Sequence, residues 1–160
     1  MVNQELVISS LEKVMDPEIP TISVWDLGIV SNILLLDQSI EITLTPTFSG
    51  CPALRVMEEM VQQQLLEDFP SFEVNVKTSF ATTWTTDRIS EKGLINLKAH
   101  GLAPPPRHDH YIELDVLSHV ACPWCGSKNT QLKSPFGPTL CRSLHYCRQC
   151  QQAFEQFKPV

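Results

Sequence analysis

The sequence predicts an α+β fold, a small sheet with helices packed on it, followed by a compact four-cysteine module. Three observations carry this expectation. Apolar residues recur at helical spacing near the start and the middle of the chain, and apolar and polar residues alternate in other stretches. Two Cys-x-x-Cys pairs stand 21 residues apart near the end.

The elements follow in order. Val7, Ile8, Leu11, Val14 and Met15 share one helical stripe. Asp16-Pro17-Glu18-Ile19-Pro20 ends that helix, because a proline crowds the preceding residue out of the α region. Ile29–Leu36 and Ile40–Leu44 read as two strands turning at Asp37-Gln38-Ser39. In the second strand Ile40, Ile42 and Leu44 fall on one face, Glu41 and Thr43 on the other. Leu54, Met57, Val61 and Leu65 mark a second helix, Pro52–Asp68, and Phe72, Val74 and Val76 alternate as a third strand. Ile89–Ala99 is a third helix and Tyr111–Val116 a further strand. Helix, hairpin, helix, strand and helix in that order place the helices on one face of a small sheet.

Hydrophobic residues make up 42% of the 160 and charged residues 19%, which is the composition of a globular chain. Twelve basic and 18 acidic residues give a net charge of −6, which disfavours broad binding to nucleic acid or anionic membranes. No run approaches the ~18 apolar residues of a membrane span. The opening MVNQELVISSLEKVMD lacks the basic region and small-residue cleavage site of a secretory signal. The expectation is a cytoplasmic protein, where cysteines serve as metal ligands or reactive thiols more often than as disulfides. The charge is unevenly spread. Residues 1–121 hold 7 basic and 17 acidic side chains, a net of −10, whereas residues 122–160 hold 5 basic and 1 acidic, a net of +4. Ala103-Pro104-Pro105-Pro106-Arg107 precedes this change and is no helix interior. The chain therefore reads as a main domain at 1–100, a connector at 101–120 and a small module at 121–160.

Cys122-Pro123-Trp124-Cys125 and Cys147-Arg148-Gln149-Cys150 form two knuckles that can present four thiolates tetrahedrally, with Zn–S near ~2.3 Å. About 40 residues build no adequate core alone, so a bound metal supplies what packing lacks. Zinc in a four-cysteine ribbon is the expected occupant. The ligand set equally accommodates iron or an iron–sulfur cluster. A thioredoxin-like redox pair would need a surrounding βαβ pattern, which is missing. Lys128, Lys133, Arg142 and Arg148, interleaved with Phe136, Tyr146 and Phe154, offer a third use, the stacking and charge of a nucleic-acid binder. Against it stands the acidity of the rest, and such aromatics also serve as a ribbon's core. Cys141 and His145, just ahead of the second knuckle, are either substitute ligands or a small buried thiol and a covering ring.

In the main domain, Thr45-Pro46-Thr47-Phe48-Ser49-Gly50-Cys51-Pro52 joins a strand to a helix. Proline suits a first helical position, which places Cys51 near the N-cap. Free N–H groups and the helix dipole there favour an anion, and a thiol so placed becomes a better nucleophile or metal ligand. Thr45, Thr47 and Ser49 add hydroxyls to the same loop. The alternative is an unreactive buried cysteine. Asp16, Glu18 and Asp26 flank the first loop and could shape a cleft or bind a metal, or simply close turns. Trp84 and Asp87 read as a core tryptophan and a turn acid. The sequence has no Gly-x-Gly-x-x-Gly, no Walker A loop and no Gly-x-Ser-x-Gly elbow. None of its five histidines lies three residues after a glutamate, as di-iron bundles require. These residues form no self-sufficient enzyme site.

Asp16-Pro17-Glu18-Ile19-Pro20, Asp26-Leu27-Gly28-Ile29-Val30 and the loop from Thr45 to Pro52 together resemble the domain of iron–sulfur assembly factors related to SufT. Trp84-Thr85-Thr86-Asp87-Arg88-Ile89 and Gly101-Leu102-Ala103-Pro104-Pro105 extend the match. With its Cys-Pro-x-Cys ribbon attached, the chain resembles the PaaD (also called PaaJ) family, associated with the phenylacetyl-CoA epoxidase of aerobic phenylacetate degradation. The resemblance implies a compact α/β main domain, a role in maturing iron or iron–sulfur sites, and Cys51 as the functional thiol. It implies partners among the other epoxidase subunits, the di-iron oxygenase or the reductase with its flavin and cluster. Iron or a cluster would then be transient cargo and zinc the structural ion. Arg88 stands where relatives often carry an aromatic residue, so no catalytic role passes to Trp84 or Asp87. Three functions are weighed: an assembly subunit of the epoxidase, a purely structural subunit of the complex, and a nucleic-acid-binding regulator. The sequence leaves homo-oligomerisation open.

Overall fold

The computed structural model describes residues 2–106 and 119–159; the strand expected at Tyr111–Val116 lies outside the described residues. The fold is α+β, with three α-helices and two small sheets among the described residues. The chain separates into two compact units, residues 1–84 with 88–93, and residues 85–87 with 94–160. The second unit takes in more chain than the cysteine segment, because Leu102 and Ala103 pair with its sheet.

In the first unit, helix α1 (Gln4–Leu11) starts at Asn3, whose side chain accepts from the Leu6 N–H, and buries Val7, Ser10 and Leu11. The helix ends a turn before the expected point. Val14 and Met15 lie outside it, because their backbone groups pair with a returning segment. Asp16 N–H donates to Ile22 O at 2.9 Å, and Val14 O accepts from Val24 N–H at 2.9 Å. Strands β1 (Val30–Leu35) and β2 (Ser39–Leu44) form an antiparallel hairpin closed by Leu36 N–H on Ser39 O. A bulge at Ser31 shifts the register between Val30 and Asn32. Strand β3 (Glu73–Thr78) then pairs parallel to β2, which makes β2 central.

A parallel partner needs a crossover, and helix α2 (Leu54–Asp68) supplies it. It turns Met57, Val61 and Leu65 inward. Ile40, Ile42 and Leu44 of β2 are fully buried, so the alternation read from the sequence marks the core face. Each such side chain contributes about 1.5–3 kcal/mol of transfer free energy.

Asp68 ties α2 to the end of α1, accepting from Lys13 Nζ at 2.8 Å, Ser10 Oγ at 2.7 Å and Gln64 Nε2 at 3.2 Å. The Lys13 bond first, and then that from Ser10, hold this carboxyl below the usual carboxylate range. The unfolded state therefore binds the proton more tightly, and stability rises with pH here. The contribution is complete above the ordinary carboxylate value of about 4 and is lost as pH falls through the lower folded value. Asp68→Asn should lower stability slightly near neutrality, since the pair is largely exposed, and flatten the acid limb of a denaturation curve below about pH 4 by the same small amount. An unchanged acid limb would remove this account.

In the second unit the sheet order is β4-β7-β6-β5. Strands β5 (Thr130–Ser134), β6 (Arg142–Cys147) and β7 (Ala153–Phe157) run antiparallel, and the short β4 (Leu102–Ala103) lies parallel to β7. Helix α3 (Glu91–Ala99) leads into β4 through Gly101, whose φ of +88° suits glycine. The ring of Trp124 lies over Gly101, leaving no room for a side chain. Ala103, Val120, Cys122, Cys147 and Phe154 form a small apolar cluster. Among the described residues no helix is long and apolar enough to cross a membrane.

Candidate functional site

The two knuckles close by the same local device. After the first, Gly126 takes φ +75°, and its N–H donates to Cys122 O at 2.8 Å while Cys122 N–H donates to Ser127 O. After the second, Gln151 takes φ +58°, and Cys147 N–H donates to Gln152 O at 2.9 Å. Each left-handed residue turns the chain back so that both sulfurs of its knuckle face one point. The four Sγ atoms all lie within 4.8 Å of one another. Cys125 to Cys147 is 3.6 Å and Cys122 to Cys150 is 3.7 Å. A Zn–S bond near 2.3 Å implies a tetrahedral edge of about 3.8 Å, so the set fits a tetrahedral thiolate-bound ion.

The four thiols differ in environment. Cys122 and Cys147 are buried in the apolar cluster, Cys150 is half-buried and Cys125 exposed. Backbone N–H groups of Cys150 and then Gln149 lower the Cys147 thiol to about 7. Burial pushes Cys150 up to about 12. Metal binding at these sulfurs would release the protons that the thiols still carry.

Neither Cys141 nor His145 joins the four sulfurs. Cys141 Sγ sits 3.1 Å from Thr139 Oγ1. His145 is fully buried, 2.9 Å from Ser143 Oγ through Nε2, and stacks on Phe154 at 5.3 Å. Burial holds its pKa below the usual imidazole value. Of the basic residues that suggested nucleic acid, Arg142 is internal and paired with Glu155 at 3.0 Å, and Phe154 is core.

In the first unit, the loop after β2 carries the thiol. Thr45 is buried, with its N–H on Ile29 O at 2.7 Å and its Oγ1 3.3 Å from Thr82 Oγ1. Thr47 and Cys51 are half-buried, and Ser49 is exposed. Helix α2 begins at Leu54 with Ala53 as its N-cap, so Cys51 lies two residues ahead of the cap. Successive turns, Cys51 N–H to Phe48 O and Leu54 N–H to Cys51 O, replace the helical start expected at Pro52. Ala53 offers no side-chain acceptor, which leaves the first N–H groups of α2 without that cap.

Asp16 is buried and closes a turn, accepting from the Glu18 and Ile19 N–H groups at 2.8 Å each. Glu18 is half-buried. Asp26 is 3% exposed and accepts from Ser23 Oγ at 2.9 Å and Ser90 Oγ at 2.6 Å, with Lys92 Nζ at 3.5 Å. Among the described residues these acids do not gather with Cys51 into a metal-holding group. Sequence reasoning missed Ser23, Ser90 and Lys92. Ser90 Oγ accepts from Gly93 N–H at 2.9 Å and so caps α3, and a serine just before a helical segment was the available signal. Trp84 is core, donating from Nε1 to Leu27 O at 3.0 Å, and Asp87 is exposed in a short 3-10 turn, Thr86–Arg88.

A thiol-bearing α+β unit and a four-sulfur ribbon able to hold a metal ion stand in one chain. Comparison with known proteins agrees. Residues 4–78 match the family described as iron-sulfur cluster assembly protein, and residues 108–158 match the PaaD zinc beta ribbon domain. An Escherichia coli protein that bears the provisional name of a 1,2-phenylacetyl-CoA epoxidase subunit is 34% identical over 94% of this chain and 89% of its own length. The chain belongs to the PaaD family. An Fe-S protein maturation auxiliary factor from Porphyromonas gingivalis is 30% identical over 59% of this chain and 90% of its own. Two solved structures share the assembly domain. A DUF59 domain from Bacillus anthracis gives TM-score 0.55 at 27% identity, covering 59% of this chain and 90% of that one. A conserved hypothetical protein from Thermotoga maritima gives 0.52 at 26% identity, covering 60% and 94%.

Proposed function

We propose that this chain is an accessory subunit of a phenylacetyl-CoA epoxidase system that helps mature the iron–sulfur or di-iron centre of a partner subunit. The match over 94% of the chain to a protein named as an epoxidase subunit carries this reading, because it spans both the assembly domain and the ribbon. In it, Cys51 is a transient ligand. Its thiol releases a proton to water, the thiolate coordinates incoming iron or cluster, and the metal passes to the partner's ligands without a change of oxidation state. Asp16 and Asp26 hold the turns of the first loop in place, and Thr45 anchors the loop of Cys51 to Ile29, just ahead of β1. The ribbon holds structural zinc on Cys122, Cys125, Cys147 and Cys150 and docks the partner. The chain carries no turnover of its own.

Co-expression of the epoxidase subunits with either wild type or Cys51→Ala tests this. Partner iron content, measured by elemental analysis, should fall several-fold with Cys51→Ala, while the variant's own thermal unfolding and zinc content stay unchanged. Undiminished partner iron and epoxidase activity would instead make the chain a purely structural subunit.

A further inference from the structure

The connection between β5 and β6, residues 135–141, exposes two large apolar side chains close together in sequence. Phe136 is 62% exposed and Leu140 50%, yet the loop that carries them is pinned throughout. Ser134 Oγ donates to Phe136 O at 2.7 Å and accepts from Phe136 N–H at 3.1 Å. Gly137 N–H donates to Arg142 O at 2.8 Å. Lys158 reaches it from the end of β7, with its N–H on Cys141 O at 2.9 Å and its Nζ on Pro135 O at 3.2 Å. Pro135 and Pro138 restrict the backbone further. Two large apolar side chains held at the tip of an ordered hairpin cost solvation while the protein is alone. They also lose little entropy on insertion into a partner, since the loop is already ordered.

The charge around the tip says what it fits. Lys158 Nζ lies 5.0 Å over the Phe136 ring, and Lys133 Nζ lies 5.5 Å over Tyr146. Residues 122–160 hold five cations and the single acid Glu155, which is already paired with Arg142. An aromatic anchor beside Lys158, within residues 122–160 whose single acid is already paired with Arg142, matches an apolar pocket with an acidic rim. A nucleic-acid base is a poorer match, because the Lys158 ammonium already covers one face of the Phe136 ring and the Lys133 ammonium one face of Tyr146.

We infer that this tip is a docking finger, and that Phe136 and Leu140 insert into an acid-rimmed apolar pocket on another subunit of the epoxidase. The inference rests on the accessory-subunit reading above and adds the surface by which that subunit is engaged. Phe136 is the energetic centre and Lys133 acts on the approach.

The test is titration of the full chain, zinc-loaded, against each purified epoxidase subunit in turn. Phe136→Ser and Leu140→Ser should each weaken binding to one subunit by roughly ten-fold or more. Lys133→Glu should slow association at low salt, and the difference should shrink as salt rises. Amide exchange of the variants should match wild type, since both apolar side chains are exposed. Wild-type binding that both serine variants retain would overturn the docking finger and leave the accessory reading intact. Binding by wild type to none of the subunits would overturn it as well, while the Cys51→Ala iron measurement decides the accessory reading separately. Retention of a single-stranded oligonucleotide that Phe136→Ser abolishes, or a wild-type homodimer that the same change dissociates, would assign the tip to another occupant and overturn it.

Discussion

Cys147→Ser will abolish metal binding and unfold the ribbon, leaving the first unit folded. The reason is one of scale. Around the sulfurs, the described part of the second unit gathers a cluster of five buried apolar residues, two of them cysteines of the four-sulfur site, with Leu102 and Phe157 buried elsewhere on the sheet. Structural zinc binding contributes ~10–16 kcal/mol in comparable small modules, as much as the whole stability of an ordinary domain. Cys147 is chosen because it is fully buried in the cluster. Serine offers a poor ligand and leaves a polar hydroxyl where a sulfur packed. Elemental analysis should fall from about one zinc per chain to none. Hydrogen exchange should show β5, β6 and β7 unprotected while β1, β2 and β3 stay protected. A chelator, or acid, which returns protons to the thiolates, should do the same to wild type. A Cys147→Ser protein whose ribbon amides remain protected would refute the metal-dependent fold.

Gly28→Ala should cost the first unit ~3 kcal/mol or more. Gly28 sits at φ +74°, and a Cβ added there would lie 2.3 Å from Arg88 O and 2.7 Å from Arg88 C. Left-handed backbone strain costs ~1–3 kcal/mol for other residues and overpacking a further ~1–3 kcal/mol. The neighbouring carbonyl cannot step aside, because the segment around it is fastened. Asp26 O accepts the Ser90 N–H at 2.8 Å, the Asp26 carboxylate holds Ser90 Oγ, and a Cβ at Gly93 would itself meet Asp26 O at 2.7 Å. Urea denaturation followed by amide exchange of the first unit measures the loss. Arg88→Ala in the same chain should not rescue it, since the clash is with the backbone. A loss below about 1 kcal/mol, or rescue by Arg88→Ala, would show that the turn is looser than this packing requires.

Much of this architecture is legible in the sequence because it is local. The alternation of Ile40, Ile42 and Leu44 identifies the core face of β2, since a strand places every second side chain on one side. The stripe of Met57, Val61 and Leu65 does the same for α2. The four-sulfur site is readable from spacing alone, because each knuckle closes within six residues and needs only a left-handed residue after its second cysteine.

Where sequence and structure differ, the cause is shared. The apolar stripe of α1 continues to Met15, but Val14 and Asp16 give their backbone groups to Val24 and Ile22, and the helix stops. Pro52 suits a first helical turn and so predicts Cys51 near a cap, but the chain makes two tight turns before α2 begins.

By itself, then, the sequence determined the α+β class, the core faces and the four cysteines that gather, all of which depend on periodicity or on contacts a few residues apart. Only the tertiary structure decided that β3 runs parallel to β2, that Leu102 and Ala103 join the ribbon's sheet, and that Asp26 reaches Ser90 across 64 residues. Those are hydrogen bonds between distant segments. Their partners are selected by the folded backbone, and no local pattern of residues encodes which donor will meet which acceptor.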